Sequence, residues 1–309
     1  MSSEANSGLP PSITTAERYR SIYRPDLFQG RTVVVTGGGS GLGRCVVHEL
    51  ASLGARVAIL GRKPAKLDAV AAELAAIYPE SAGRVSLHAC DIREEDAVRR
   101  TVAEIVVRHG GIDGVFNCAG GQYPAALRDI TAKGWDAVVR TNLHGTFLVS
   151  REVYTQWMEG HGGSIVNMLA DIWGGLPGMG HSGAARGGVL TLTETCACEW
   201  AHSGVRVNAV APGWIAASGM DSYAPDYQRE MRGWQAHVPM RRFGTEAELS
   251  AAVVFLLSEA STFVNGTVIR VDGGVPNARP QWKRPAAERS PVFQGFPQYR
   301  RPGMLDRED

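Results

Sequence analysis

Thr36-Gly37-Gly38-Gly39-Ser40-Gly41-Leu42-Gly43 places a glycine-rich turn directly behind the apolar run Val33-Val34-Val35 and ahead of a predicted helix. Glycines permit a sharp turn and close approach of the backbone to a ligand. The helix start then adds unpaired N–H groups and a favourable dipole, so a turn of this kind suits a pyrophosphate. Thr36, Gly37, Gly39, Ser40, Gly41, Leu42 and Gly43 are therefore candidate contacts to a dinucleotide. The next predicted strand ends Ile59-Leu60-Gly61-Arg62-Lys63. A carboxylate near that point would accept from a ribose 2′-hydroxyl, whereas an Arg accommodates a 2′-phosphate. Glycine takes the acidic position here and Arg62 and Lys63 follow it. A guanidinium matches phosphate in a two-pronged way, and the pattern reads as NADP(H).

A second group of chemically active side chains lies in His181-Ser182-Gly183-Ala184-Ala185-Arg186. The Ser182 hydroxyl can donate a hydrogen bond, and the Arg186 guanidinium stays charged at any physiological pH. His181 has the right intrinsic pKa for a base, but adjacent residues at a strand–helix junction point in different directions.

The elements that must position these groups follow from periodicity. Thr32–Thr36, Arg56–Leu60, Val85–Cys90, Gly114–Asn117, Ser164–Leu169, Val205–Val210 and Thr267–Val271 are short runs rich in β-branched residues, expected of strands buried on both faces. Helix-period segments separate them. Leu67, Val70, Ala71, Leu74 and Ile77 share one face of Lys66–Ile77, and Val98, Val102, Ile105 and Val106 one face of Glu95–Val107. Alternation of this kind predicts parallel neighbours, right-handed crossovers and one doubly wound α/β domain over 18–274. Residues 1–17 read as disordered. Residues 275–309 carry six prolines and seven Lys or Arg. They predict an extended arm, too poor in periodic apolar residues to add a core element.

Composition narrows the function classes. A net charge of +1, with no basic block, argues against nucleic acid. The apolar runs are strand-sized, so no membrane span is expected. The first residues lack the hydrophobic stretch of a signal peptide. Five scattered cysteines, of which Cys196 and Cys198 share a predicted helix, predict reduced thiols, no metal site and a cytoplasmic protein.

Thr36–Gly43, Asn117-Cys118-Ala119-Gly120, Asn142, Pro212-Gly213 and Asp272-Gly273-Gly274, in that order, resemble the short-chain dehydrogenase/reductase family over about residues 30–274. The resemblance implies a seven-stranded Rossmann sheet and commonly a homotetramer. It implies Asp91 and Ile92 near the adenine, Asn117, Ala119 and Gly120 beside the cofactor, and Asn142 holding a water. Arg186, Pro212, Gly213, Trp214 and Ile215 are further implied cofactor contacts.

Family members that oxidise alcohols use a Ser, a Tyr and a Lys. Here Leu169 and Ala170 stand where the Ser belongs, Ser182 replaces the Tyr and Arg186 the Lys. An aliphatic hydroxyl is far less acidic than a phenol, whose ordinary pKa is near ~10, and Arg186 is a poor proton relay. Within the family the chain is similar to enoyl-CoA and 2,4-dienoyl-CoA reductases of the peroxisomal type, in Asn117–Gln122, Lys133–Trp135, Thr141–Phe147, Gly162–Asn167, His181–Arg186 and Glu199–Arg206. In the mitochondrial dienoyl-CoA relatives a Tyr lies about eleven residues before the position of Ser182; Asp171 matches it, either as a catalytic carboxylate or as a turn cap.

Conjugate reduction of an unsaturated thioester needs donors aimed at an enolate oxygen rather than a phenolic acid. Asn142, Asp171, Ser182 and Arg186 form the candidate catalytic set. Met220, Tyr223, Tyr227, Met231, Trp234 and Met240 predict either a lid for an apolar acyl or isoprenoid substrate or packing between subunits. The expected activity is NADPH-dependent reduction of enoyl- or dienoyl-thioesters. The alternatives are a dehydrogenase of acyclic terpenoid alcohols or aldehydes, and a cofactor-binding protein without catalysis.

Overall fold

In the computed structural model, residue 12 and residues 16–278 and 289–306 are described. The expectation of disorder over 1–17 falls outside these residues apart from 12, 16 and 17. Seven parallel strands form one sheet: β1 (Thr32–Thr36), β2 (Arg56–Gly61), β3 (Val85–Ala89), β4 (Gly114–Asn117), β5 (Gly163–Met168), β6 (Val205–Pro212) and, after two short strands, β9 (Val268–Val271). Their order is β3-β2-β1-β4-β5-β6-β9. The chain thus winds outward from β1 in two directions, which makes the Rossmann-type switch point between β1 and β4. The two short strands, β7 (Ile215–Ala216) and β8 (Gly244–Thr245), pair with each other near the carboxyl end of β6.

Val33, Val34 and Val35 are fully buried, because helices cover both faces of the sheet. One face packs on α1 (Gly41–Ser52), α2 (Pro64–Ile77) and α9 (Glu246–Leu257). The other packs on α3 (Glu95–His109), α5 (Gly145–Val153) and α7 (Gly180–Glu199). α2 begins with Pro64 at its first turn, where the missing N–H costs nothing. It buries Leu67, Val70, Leu74 and Ile77, the stripe expected from periodicity. α3 ends at Gly110, whose φ of 79° is left-handed.

α4 (Ala132–Val139), α5 and α6 (Glu159–His161) form a near-continuous helical run interrupted by π-helical turns at Arg140–His144 and Tyr154–Met158. The first of these carries Asn142, and π-turns re-aim side chains where a helix would otherwise bury them in register. α8 (Pro225–Gly233) sits in the segment between β7 and β8. Among the described residues no helix is long and apolar enough to cross a membrane.

The described parts of the arm are 275–278, which begin with a short helical turn, and 289–306, which departs from the expectation that the arm adds nothing to the core. The latter is largely extended, yet Phe296 and Tyr299 are fully buried and Met304 is nearly so. Phe296 stacks on Tyr19 at 5.9 Å beneath the Arg44 guanidinium. Met304 enters the apolar cluster of Met220, Met231 and Phe243, and the Asp221 carboxylate accepts from the Gly303 and Met304 amides. An extended segment inserts aromatics one at a time, so no helical or strand period marks them.

Candidate active site

The glycine turn leaves β1 and enters α1 at the switch point. Gly37 and Gly41 have φ of 70° and 54°, where any side chain is strained. A Cβ on Gly37 would lie 2.9 Å from the Ala119 Cα, and one on Gly43 would lie 2.5 Å from the Gly37 carbonyl oxygen. Both glycines are thus required by close packing of the turn on itself and on the end of β4. Beside the turn runs a cleft of about 550 Å³, within the range of small-molecule sites. Gly37, Gly39, Ser40, Gly41, Leu42 and Gly43 line it, as do Arg62, Lys63, Asp91, Ile92, Ala119 and Gly120. Thr141, Ser218 and Ser222 also line it and were not singled out from sequence; short polar residues in a loop give no signal of their own.

Not every predicted contact faces the cleft. Thr36 accepts a hydrogen bond from the Ala119 amide at 3.0 Å and so ties the glycine turn to the end of β4. Asn117 is buried and donates to Ser150 Oγ and Asn167 Oδ1, both at 2.9 Å. Pro212 ends β6, and a Cβ on Gly213 would lie 2.8 Å from Asp272 Cα. Ile215 is buried in β7, and Trp214 packs on Trp234 at 5.0 Å. These residues hold the walls in place.

Arg62 and Lys63 are exposed, and among the described residues their side chains have no hydrogen-bond or ion-pair partner. Asp91 is already engaged: Arg93 Nε donates to Oδ1 at 2.9 Å and Nη2 to Oδ2 at 2.5 Å. Those bonds from Arg93 hold the Asp91 carboxyl below its ordinary range.

Ser182 and Arg186 lie one turn apart on the first turns of α7, both buried. Arg186 Nη1 donates to the Met168 carbonyl at 2.6 Å, and Nη2 crowds the Cβ position of Gly120. Among the described residues no carboxylate pairs with it, and burial lowers its guanidinium to about 10. Asn142 Oδ1 accepts from the Gly121 amide at 2.9 Å, while Nδ2 donates to the Gly121 carbonyl at 3.0 Å. The residue expected to hold a water thus clamps the turn that follows β4.

Ser182 Oγ donates to Gln122 Oε1 at 2.7 Å, and Gln122 Nε2 donates to Tyr223 Oη at 3.2 Å. This link from α7 to the lid was not anticipated. His181 is fully buried; its Nδ1 accepts from the Ser182 amide at 2.8 Å and its ring meets Tyr123 edge-on at 4.6 Å. His181 therefore shapes the turn that presents Ser182.

Asp171 is grouped elsewhere. Burial first and the nearby Asp272 second raise its carboxyl, while a hydrogen bond from the Trp173 amide and then the charge of Arg270 oppose them, so the carboxylate caps the turn after β5. Oδ1 of Asp171 and Oδ2 of Asp272 are both buried without a hydrogen bond. This pair of carboxylates belongs to the carboxyl end of β9, and Arg270 stacks over Trp173.

The residues expected to form a lid or a subunit contact, Met220, Tyr223, Tyr227, Met231 and Trp234, pack into one cluster with Phe243 and Met304. Met240 is exposed and lines a separate hollow with Trp214 and Asp272.

A family model described as enoyl-(acyl carrier protein) reductase matches residues 37–276. A probable 2,4-dienoyl-CoA reductase of Bacillus subtilis (strain 168) is 34% identical over 258 residues, covering 82% of this chain and 98% of that protein. The chain is a short-chain dehydrogenase/reductase. Members of this family use NAD(P)(H), so the protein is an oxidoreductase of small molecules. Its relatives act on different substrates. A glucose 1-dehydrogenase of Gluconobacter oxydans (strain 621H) is 37% identical over 254 residues, 81% of this chain and 93% of that one. A solved structure described as a citronellol catabolism dehydrogenase of Pseudomonas aeruginosa PAO1 is 55% identical. It superposes with a TM-score of 0.74 and covers 84% of this chain and 100% of that one. Against the alcohol-oxidising pattern of the short-chain dehydrogenase/reductases, this chain keeps the glycine-rich turn and Asn142 but not the Ser, Tyr and Lys.

Proposed function

We propose that the protein is an NADPH-dependent reductase of α,β-unsaturated thioesters, enoyl- or dienoyl-CoA, carrying an apolar acyl or isoprenoid chain. The observation that carries the reading is the Ser182 hydroxyl, which donates at 2.7 Å to a carbonyl-type oxygen, that of Gln122. That distance suits a donor to an oxyanion. A substrate carbonyl entering in place of the Gln122 amide would receive the same bond. NADP(H) suits the cleft beside the glycine turn, whose wall carries the exposed Arg62 and Lys63 for a 2′-phosphate. When bound, it supplies the hydride.

Charge then collects on the thioester oxygen as an enolate. Ser182 stabilises it by hydrogen bonding, and the Arg186 cation, one turn further on, strengthens the field of the site. Asn142 keeps the Gly120–Gly121 backbone beside Arg186. No group at position 182 has to act as a phenolic acid, because protonation occurs at carbon and water can supply it. The clustered Met and aromatic residues of the lid suit an adaptable apolar chain. The homotetramer that the family resemblance implies is part of the same proposal.

The second reading is a dehydrogenase of acyclic terpenoid alcohols, favoured by the 55% identity to the citronellol catabolism dehydrogenase. Ser182 and Arg186 oppose it, since neither moves a proton readily from an alcohol oxygen. The test is cofactor turnover monitored at the nicotinamide band. NADPH with 2-enoyl- and 2,4-dienoyl-CoA esters is expected to be oxidised, and NADP⁺ with citronellol to stay unreduced. The opposite result replaces the first reading by the second, and no turnover with either class favours binding without catalysis.

A further inference from the structure

Glu246 is the first residue of α9 and only 3% exposed. An acidic residue there looks like ordinary helix-start chemistry, but its side chain is aimed elsewhere. Its Oε1 lies 3.9 Å from the Cβ position of Gly41, and Ser218 Oγ lies at the same distance from that position. Gly41 and Ser218 both line the cofactor cleft. Among the described residues the Glu246 carboxylate accepts no hydrogen bond and pairs with no cation.

The groups facing it do not neutralise it. From α1 come Cys45 and Arg44, the only cation acting on it; Arg44 donates to Glu73 at 2.7 Å and to the Gln298 carbonyl at 3.2 Å. From the turn after β4 comes Cys118, and from the arm Tyr299. Both are neutral, because burial pushes each far above its ordinary range. On its own helix, Glu248 is held by Arg242 and by the Thr245 amide.

We propose that Glu246 is a determinant of cofactor affinity, its carboxylate competing with the cofactor pyrophosphate for the positive end of α1, so that the dinucleotide binds with uptake of a proton by this side chain. The inference rests on the cofactor reading above. A buried carboxylate beside Gly41 and a pyrophosphate held at the same helix start would repel through protein, where screening is weaker than in water. Burial raises the free carboxyl to about 7, which places the change in an accessible range. The sign follows from linkage. If the ligand favours the protonated form, affinity is greatest below the free-state pKa and falls as pH rises through it.

The test is titration calorimetry of the full chain with NADH and NADPH at pH 6, 7 and 8, in buffers of different ionisation heat. NADH separates the effect from the 2′-phosphate, which itself titrates near ~6. Wild type is expected to lose on the order of tenfold in NADH affinity from pH 6 to 8 and to take up a proton near pH 7.5. Glu246→Gln should bind at pH 8 as wild type binds at pH 6, with a flat profile. The proton uptake of the wild type carries the test even if the variant does not fold. Binding without proton uptake, or the same slope in the variant, overturns the proposal alone. No binding of either dinucleotide by either protein overturns the cofactor reading and the proposal together.

Discussion

The glycine turn and the first turns of α7 hold function by different means. At the glycine turn the work is done by absent side chains: backbone amides, a helix start and room for a phosphate. At α7 it is done by side-chain type: Ser182, Arg186 and the partners that aim them. The first kind of site tolerates almost no substitution, because a Cβ on Gly43 meets a carbonyl at 2.5 Å. The second kind can change its chemistry by exchanging a Tyr and a Lys for a Ser and an Arg on an unchanged scaffold. Cofactor class and reaction class are therefore separable in this family.

The largest expected effect tests the first half of that contrast. Gly43→Val should lower dinucleotide affinity by ~10³ or more, since the loop must shift to admit the side chain and the aligned amides are lost with it. Binding measured by cofactor fluorescence within tenfold of wild type would mean that backbone shape is not what holds the dinucleotide.

Ser182→Ala probes the other half. Turnover should fall by ~10–10², with dinucleotide affinity unchanged, because backbone amides and water replace the hydroxyl in part. A complete loss of turnover would show that backbone amides and water cannot replace this donor, and would overturn the expectation.

Arg62→Asp should act on the cofactor side alone. Losing a charge-assisted contact to phosphate is worth roughly 1.5–3 kcal/mol, so the preference for NADPH should shift toward NADH by tenfold or more while kcat holds. Equal wild-type affinity for both cofactors would remove Arg62 from the site.

The same division decides how much of the protein was legible in its sequence. Strand cores such as Val33–Val35, the turn after them and the Leu67/Val70/Leu74/Ile77 stripe are local patterns, and each lies where periodicity and glycine placed it. The scaffold of the cofactor site follows directly. What was not legible depends on partners distant in the chain. The Ser182–Gln122–Tyr223 link joins α7 to two separate loops, and the identity of Ser182 alone does not reveal its acceptor. The Phe296 and Tyr299 insertions have no period to betray them. Glu246 was hidden for the opposite reason, since its position at a helix start is the commonest place to find a carboxylate.

Asp171 is where the comparison is finest, because its sequence position pointed to α7 while its environment points to β9. Its carboxyl is raised by burial and by Asp272, and neither Ser182 nor Arg186 is among the groups that act on it. A residue of the proton-handling site would feel the Arg186 charge and be lowered by it. Asp171→Asn should accordingly change turnover by less than about threefold, a small effect for a group outside the reacting atoms. Its effect on stability has a defined sign. A carboxyl raised in the folded state disfavours folding wherever the unfolded chain is ionised, so the wild type loses stability as pH rises from below its ordinary range through the folded value. Replacement by Asn removes that penalty along with the repulsion from Asp272. The variant should be more stable than wild type at pH 8 by about 0.5 kcal/mol after allowance for solvent screening, and the difference should vanish by pH 3. Thermal melts across that range, run beside turnover, separate the two assignments. A hundredfold loss of turnover would return Asp171 to the proton-handling half of the cleft, and a variant less stable than wild type at pH 8 would show that the carboxylate is favourably held rather than repelled.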